Sequence, residues 1–412
     1  MSTVPNDGDG LGGSVGHVRG GRDTNRLRCL VVSFSDIGRD ARVLRQIDVL
    51  AEAYDVTVVG FGSVDDARVE MATLRDPRQS RGPLQRGLVK TVDAVRLILR
   101  RFRSAYYARP GVREAQRILA DRQFDVVVAN DVDALPVVCD TNNGAPIVLD
   151  AHEYSPRQHD DRPLWRLLRQ PEIMWICRQH LEHIDESLTV GDAIAAKWRS
   201  EFGLRPSVQR NAPPYVALRP SPVDPNLIRL IHHGGALPGR GIERLLEVAE
   251  LLDERFVLHL MLLPTDRAYL TKLTARASGI PRVEILEPVK PRDVVHAIQP
   301  YDIGVYLLPP HNFNTEHALP NKFFDFIQAR LAVAVGPSVE MARVVHDRGL
   351  GIVAASCDAS DLAASLAAVH PEQVATWKRA SDEAAQELCA EGESEQLKGA
   401  IERAIAQRSG AA

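Results

Sequence analysis

Arg28-Cys29-Leu30-Val31-Val32-Ser33-Phe34, the segment Ala41–Tyr54, and Asp55-Val56-Thr57-Val58-Val59-Gly60-Phe61 are the stretch on which the fold turns. The first run is nearly all apolar and rich in β-branched residues, as expected of a strand covered on both faces. The middle segment repeats Val43, Ile47, Leu50 and Ala51 at helical spacing. The third run reads as a second strand. Two strands joined through a helix form a βαβ unit, which makes the strands parallel.

The alternation continues outward. Helices are predicted over Val112–Ala120, Arg178–Ile184 and Asp192–Phe202, and strands over Phe124–Ala129, Ile147–Asp150, Glu186–Val190 and Ser207–Arg210. Pro213, Pro214, Pro220, Pro222 and Pro225 then interrupt the pattern, because proline sustains neither helix interior nor inner strand. Beyond them the pattern restarts. Strands are predicted at Ile228–His232, Phe256–Leu263, Val283–Leu286, Ile303–Leu307, Ala332–Val335 and Gly351–Val353. Helices fall between them, and from Ala359 onward the chain reads as helical. The expected division is a disordered tail (1–26), a first α/β domain (27–211), a linker (212–226), a second α/β domain (227–385), and a C-terminal helix (386–412) packing back toward the first domain.

With 412 residues the chain suits two domains of about 150–200 residues each. A net charge of −4 argues against a nucleic-acid partner. Five scattered cysteines without a CxxC pair suggest reduced thiols in a cytoplasmic protein. The first residues lack the apolar segment of a secretory signal, and no apolar run of about 18 residues suggests a membrane span.

Ligands of open parallel sheets bind beyond the carboxyl ends of the strands. Four segments there carry chemistry. After the first strand, Gly38 permits close backbone approach, and Arg39, Asp40 and Arg42 lead into a helix whose N-terminus could hold an anion, or form an ordinary turn. Asp150-Ala151-His152-Glu153 follows an apolar strand, so His152 can bond a hydroxyl or handle a proton, or be satisfied by Asp150. His232-His233-Gly234-Gly235-Ala236-Leu237-Pro238-Gly239-Arg240-Gly241 reads as a loop that can set main-chain N–H groups and Arg240 against a pyrophosphate. In Leu319-Pro320-Asn321-Lys322-Phe323-Phe324-Asp325, Pro320 suits a helix start. Asn321 and Lys322 would then face phosphates, and Asp325, one turn in, could accept ribose hydroxyls. Asp131-Val132-Asp133 is a DxD string, read as lining the acceptor side rather than holding a metal. No GxGxxG follows the first strand, which argues against a dinucleotide dehydrogenase.

Asp40–Gln46, Val148–Tyr154, Arg210-Asn211-Ala212-Pro213, Arg240-Gly241-Ile242-Glu243 and Leu319–Ile327 together resemble the retaining family-4 glycosyltransferases of the GT-B fold, over about residues 28–400. The resemblance implies an α/β architecture of two Rossmann-like parallel-sheet domains facing each other across a cleft. It also implies metal-independent transfer with retention from a UDP-, GDP- or other nucleoside-diphosphate sugar, with no cofactor, to a glycan or lipid-linked acceptor. The donor lies in the C-terminal half and the acceptor in the N-terminal half, beside Gly38, Arg39, Asp40, Arg42, Asp131 and Glu153. Ribose falls to Asp325, the donor phosphates to Gly234, Gly235, Arg240, Asn321 and Lys322, the sugar to His152, and the base to the main chain near Pro288 and Val289. Two departures stand out. Where the family has an earlier carboxylate paired with the ribose-binding one, this chain has His317, with Glu316 beside it, and either can take that catalytic role. Ala236 stands where many members carry an arginine.

Residues 81–109 carry eight basic residues, among them Arg96, Arg100, Arg101 and Arg103, against the single acid Asp93. Val92, Val95 and Leu99 recur at helical spacing. The segment reads either as a helix lying on an anionic membrane, which would place the protein at the inner face, or as a core helix with a solvated basic face. Two rival functions share the expected fold: a sugar-nucleotide epimerase, and a degenerate sugar-nucleotide-binding scaffold subunit.

Overall fold

A computed structural model of the chain describes residues 26–75 and 83–410, with backbone only for 83–90. The expected tail lies outside the described residues, apart from its last residue, and so does Arg81.

Seven parallel strands form the first sheet: β1 (Arg28–Asp36), β2 (Asp55–Phe61), β3 (Val69–Thr73), β4 (Val126–Asn130), β5 (Ile147–Asp150), β6 (Glu186–Thr189) and β7 (Ser207–Val208). Their order is β3-β2-β1-β4-β5-β6-β7. The second sheet holds β8 (Ile228–Gly235), β9 (Phe256–Leu263), β10 (Val283–Leu286), β11 (Ile303–Tyr306), β12 (Ala332–Val335) and β13 (Gly351–Val353), in the order β10-β9-β8-β11-β12-β13. In each sheet the winding reverses once, between β1 and β4 and between β8 and β11. Crevices form at such reversals.

Val31, Val32, Val58, Val126 and Val128 are buried because helices cover both faces of the first sheet, which explains their continuous apolar runs. The final helix, Ala390–Ser409, leaves the second domain and lays Leu397, Ala400, Ile401 and Ala404 against Val31, Val56 and Leu188 of the first sheet. Burying a leucine or isoleucine there is worth about 2 kcal/mol each. Glu393 accepts from Arg210 N (2.7 Å) and its guanidinium (3.0 Å), fixing that helix to the end of the first domain.

Several elements differ from the sequence expectation. The helix expected at Arg178–Ile184 is the end of a longer one, Pro163–His180, followed by a 3₁₀ turn at Leu181–His183. Pro171 inside it masks the continuity, and among the described buried positions only its C-terminal half, from Glu172 on, enters the core. Strand β8 continues through Gly234-Gly235, where a loop was expected, because Leu262 and Leu263 of β9 remain available for pairing. Strand β3 and the helices Phe102–Tyr107, Leu135–Thr141 and Phe313–Glu316 are too short to show a period. Among the described residues no helix is long and apolar enough to cross a membrane.

Candidate functional site

The C-terminal wall of the cleft begins at the end of β8. Alternation along the strand turns His232 and His233 to opposite faces. His232 Nδ1–H donates to the Val305 carbonyl (2.9 Å), which leaves Nε2 free to accept from Lys322 Nζ (3.2 Å). The imidazole also stacks on Tyr306, and Lys322 Nζ lies 4.3 Å from the centre of the Tyr306 ring. Lys322 belongs to the helix Asn321–Gln328, whose Phe323, Phe324, Phe326 and Ile327 are buried. That anchoring leaves Lys322 and Asp325, one turn apart, on a shared face. Gly234 has φ of +125°, and a Cβ there would meet Lys322 Nζ at 3.1 Å, so glycine makes room for the ammonium. Gly241, also at positive φ, opens the helix Ile242–Leu251 just beyond Arg240.

Burial, with the Arg240 charge, pushes Lys322 down to about 7, against the pull of Asp325. Burial lifts Asp325 to about 7, opposed by Arg45 and Lys322. His233 lies 3.4 Å from Asp325, but burial and Lys322 hold its imidazole down to about 3, so it is neutral. Its Nε2 is buried without a hydrogen-bond partner.

The opposite wall is organised by Asp150 at the end of β5. Arg42 grips it with two bonds (2.8 and 2.7 Å), and Gln46 Nε2 adds a third (3.0 Å). Asn130 Nδ2 donates to Gln46 Oε1 (2.8 Å), which turns Asn130 Oδ1 toward His152 Nε2 (3.0 Å). Burial opposes the charge on Asp150, but Arg42 and His152 outweigh it and hold the carboxyl well below the usual range. Burial likewise opposes a charged His152, but Asp131 and Asp150 prevail and raise it to about 9. At neutral pH His152 therefore carries two N–H donors and is no free base.

Between the walls lies a cavity of about 410 Å³. His152, Glu153 and Asn211 line it from the N-terminal side, and Gly234, Gly235, Arg240, Asn321, Lys322 and Asp325 from the other. A larger trough of about 790 Å³ is lined by Glu243, Glu247, Glu250 and Asp358 against the single arginine Arg244, a balance that disfavours a phosphate.

Several sequence-predicted residues lie elsewhere. Glu316 is exposed at the end of its short helix. His317 donates through Nδ1 to the Phe313 carbonyl (2.8 Å) and stacks on the Phe313 ring. Neither lines the cavity. Asn314 does, and it ties the domains together: its Oδ1 accepts from Tyr154 N (3.0 Å), and its Nδ2 donates to Glu153 Oε2 and the Tyr154 carbonyl (both 3.2 Å). Beside it Phe313 enters the N-terminal core against Tyr154.

Of the arginines in the first βα turn and the helix after it, Arg39 and Arg42 do not face the cavity, while Arg45 donates to Asn211 of its lining (3.3 Å). Asp40 already caps that helix through Arg42 N and Val43 N, Arg42 is buried on Asp150, and Arg39 is exposed beside Asp36. Gly38 lies outside the cavity lining. Asp131 accepts from His152 N (3.2 Å), while Asp133 faces Arg109 and Arg169, so the DxD carboxylates are engaged with protein groups. Pro288 and Val289 also lie outside the lining, and Val289 packs on the second domain's core. The sequence reading included His233 in its loop without a role of its own, and passed over Asn314, Tyr306 and the Gln46–Asn130 relay. Only His233 had a signal, in the paired histidines ending an apolar strand.

No protein-family model and no curated protein sequence matches the chain. Solved structures do match in fold. HepE of Anabaena, solved with UDP and glucose, is 14% identical with a TM-score of 0.62, the match covering 92% of this chain and 100% of HepE. A glycosyltransferase from Rickettsia africae gives a TM-score of 0.65 at 9% identity, covering 92% of this chain and 99% of that one. An α,α-trehalose 6-phosphate synthase from Burkholderia multivorans gives 0.63 at 12% identity, covering 93% and 99%. With its two facing Rossmann-like sheets, the chain shares the GT-B fold of these glycosyltransferases.

Proposed function

We propose that the chain is a glycosyltransferase that moves a sugar from a nucleoside-diphosphate sugar to an acceptor hydroxyl, without a metal and with retention. The observation that carries this reading is the convergence of Lys322, Arg240, the Gly234-Gly235 main chain and the start of the helix Asn321–Gln328 on one hollow, with Asp325 a turn further in. Two cations and a helix N-terminus suit a diphosphate. A carboxylate beyond them suits the ribose hydroxyls. That HepE has been solved with UDP-glucose accords with this donor class.

In the proposed reaction the bond from the anomeric carbon to the diphosphate oxygen breaks, and its electron pair stays on the leaving diphosphate. Lys322 and Arg240 meet the growing negative charge. The acceptor oxygen bonds to the anomeric carbon on the same face, and its proton passes to a diphosphate oxygen. His152, protonated at neutral pH, donates hydrogen bonds on the N-terminal side rather than taking that proton. Glu153 lines the cavity beside it, its carboxyl raised by burial and by Asp131. A glycan or lipid-linked acceptor would enter from this wall.

A thermal-shift screen with UDP-, GDP-, ADP- and TDP-sugars tests the reading, since a ligand bound only by the folded state raises the melting point. One donor should raise it, and nucleoside diphosphate should be released only when an acceptor is added, with chelator present. No shift with any donor would sink the proposal. Interconversion of the donor without acceptor would mark an epimerase instead.

A further inference from the structure

Six of the eleven exposed large apolar side chains among the described residues lie on two neighbouring helices or directly after one. Val92, Val95 and Ile98 belong to the helix Pro83–Ile98, with Leu99 just after it, and Leu164 and Leu167 begin the helix Pro163–His180. The two helices pack against each other. Ile98, Leu99, Leu164 and Leu167 are 61, 58, 68 and 59% exposed, values that no folding advantage explains. Val92, Val95 and Leu99 share one helical stripe, so the exposure is a face rather than scattered positions.

The charges around this face are mainly positive, with Asp93 and Asp161 the acids among them. Arg100 and Arg101 follow the first helix, and Arg162 and Arg166 flank the start of the second; all four are exposed. Arg100, Arg101 and Arg166 have no carboxylate within ion-pair reach among the described residues, and Arg162 has only its neighbour Asp161 at 3.8 Å. Apolar side chains bordered by unneutralised guanidinium groups complement the acyl boundary and anionic headgroups of a bilayer.

The face is also joined to the cleft. The segment running into the helix Pro163–His180 accepts from Asn312 Nδ2 of the second domain, through the Gln158 carbonyl (3.2 Å) and Asp161 (3.4 Å). Asn312 caps the short helix whose Asn314 lines the cavity. We infer that these two helices form one docking face for an anionic membrane, placed so that an acceptor held in the bilayer is presented at the cleft. The docking stands independently of the proposed transfer; only its purpose, delivery of a lipid-borne acceptor, rests on that reading.

Flotation of the full chain with phosphatidylglycerol–phosphatidylcholine vesicles, and with phosphatidylcholine alone, tests this. Binding is expected only to the anionic vesicles and should fall as salt rises. The pair Ile98→Asp with Leu167→Asp should weaken it by at least about tenfold, and Arg100→Ala or Arg166→Ala by about fivefold each. These side chains are exposed, so the melting temperature and soluble donor binding should stay as in the wild type. Retained donor binding separates failure here from failure of the proposed transfer. Absence of vesicle binding at low salt, or indifference to the Asp substitutions, would overturn the inference. So would light scattering that shows a wild-type dimer split by Ile98→Asp, since a second copy would then cover this face.

Discussion

The two walls of the cleft carry comparable polar groups in opposite states. On the N-terminal wall Arg42, Gln46, Asp150, Asn130 and His152 satisfy one another in a continuous chain of bonds. On the C-terminal wall no carboxylate lies within ion-pair reach of Lys322 or Arg240 among the described residues, and Asp325 faces a neutral histidine. Fully paired buried groups hold a surface in one shape. Cations held only by neutral groups, as Lys322 is by His232 and Tyr306, keep their charge available for an anionic ligand. The comparison teaches that one wall is built to be rigid and the other to bind.

The largest expected effect removes the unpaired charges. Arg240→Ala with Lys322→Ala should lower sugar transfer by about ten-thousandfold, since each cation of this kind is worth about a hundredfold or more. The melting temperature without ligand should hardly change, because neither cation closes an ion pair in the fold. Steady-state rates and calorimetry on one preparation check both halves.

The converse change attacks the paired wall. Arg42→Ala leaves the Asp150 charge buried without its main partner and should cost about 3–5 kcal/mol of folding stability. Denaturant titration reads this directly. An Arg42→Ala protein as stable as the wild type would erase the distinction between the walls.

A smaller effect sharpens the comparison through pH. Free Lys322 titrates at about 7, and a bound diphosphate raises that value because it favours the ammonium. Donor binding should therefore take up protons above pH 7 and weaken by up to about tenfold per pH unit. Asp325, also at about 7, acts in the other direction: hydroxyls donated to it favour the carboxylate, so below pH 7 binding releases protons. Titration calorimetry in buffers of different ionisation enthalpy separates the two. At pH 8 the uptake should vanish in Lys322→Ala.

Much of the cavity's C-terminal wall was legible because its parts are local. Pro320, Lys322 and Asp325 sit within one helix start, and Arg240 within the run that follows one strand. The N-terminal wall was harder to read. Arg42 and Asp150 looked like a cleft cation and a polar strand end, and nothing in either segment announces a bond between residues 108 positions apart. Asn314 was passed over for its neighbours Glu316 and His317, because residue type favours a charged group while only the docking of Phe313 decides which side chain faces the cavity.

The order of strands and helices, the proline-marked break between two α/β halves, and the residue types suited to a diphosphate were set by the sequence alone, since each depends on periodicity or on neighbours within a turn or two. Tertiary structure alone decided which cations are neutralised and which stay open. A charge's state depends on what burial and distant segments place around it, and Lys322 and Arg42, both cations near the cleft, differ for that reason.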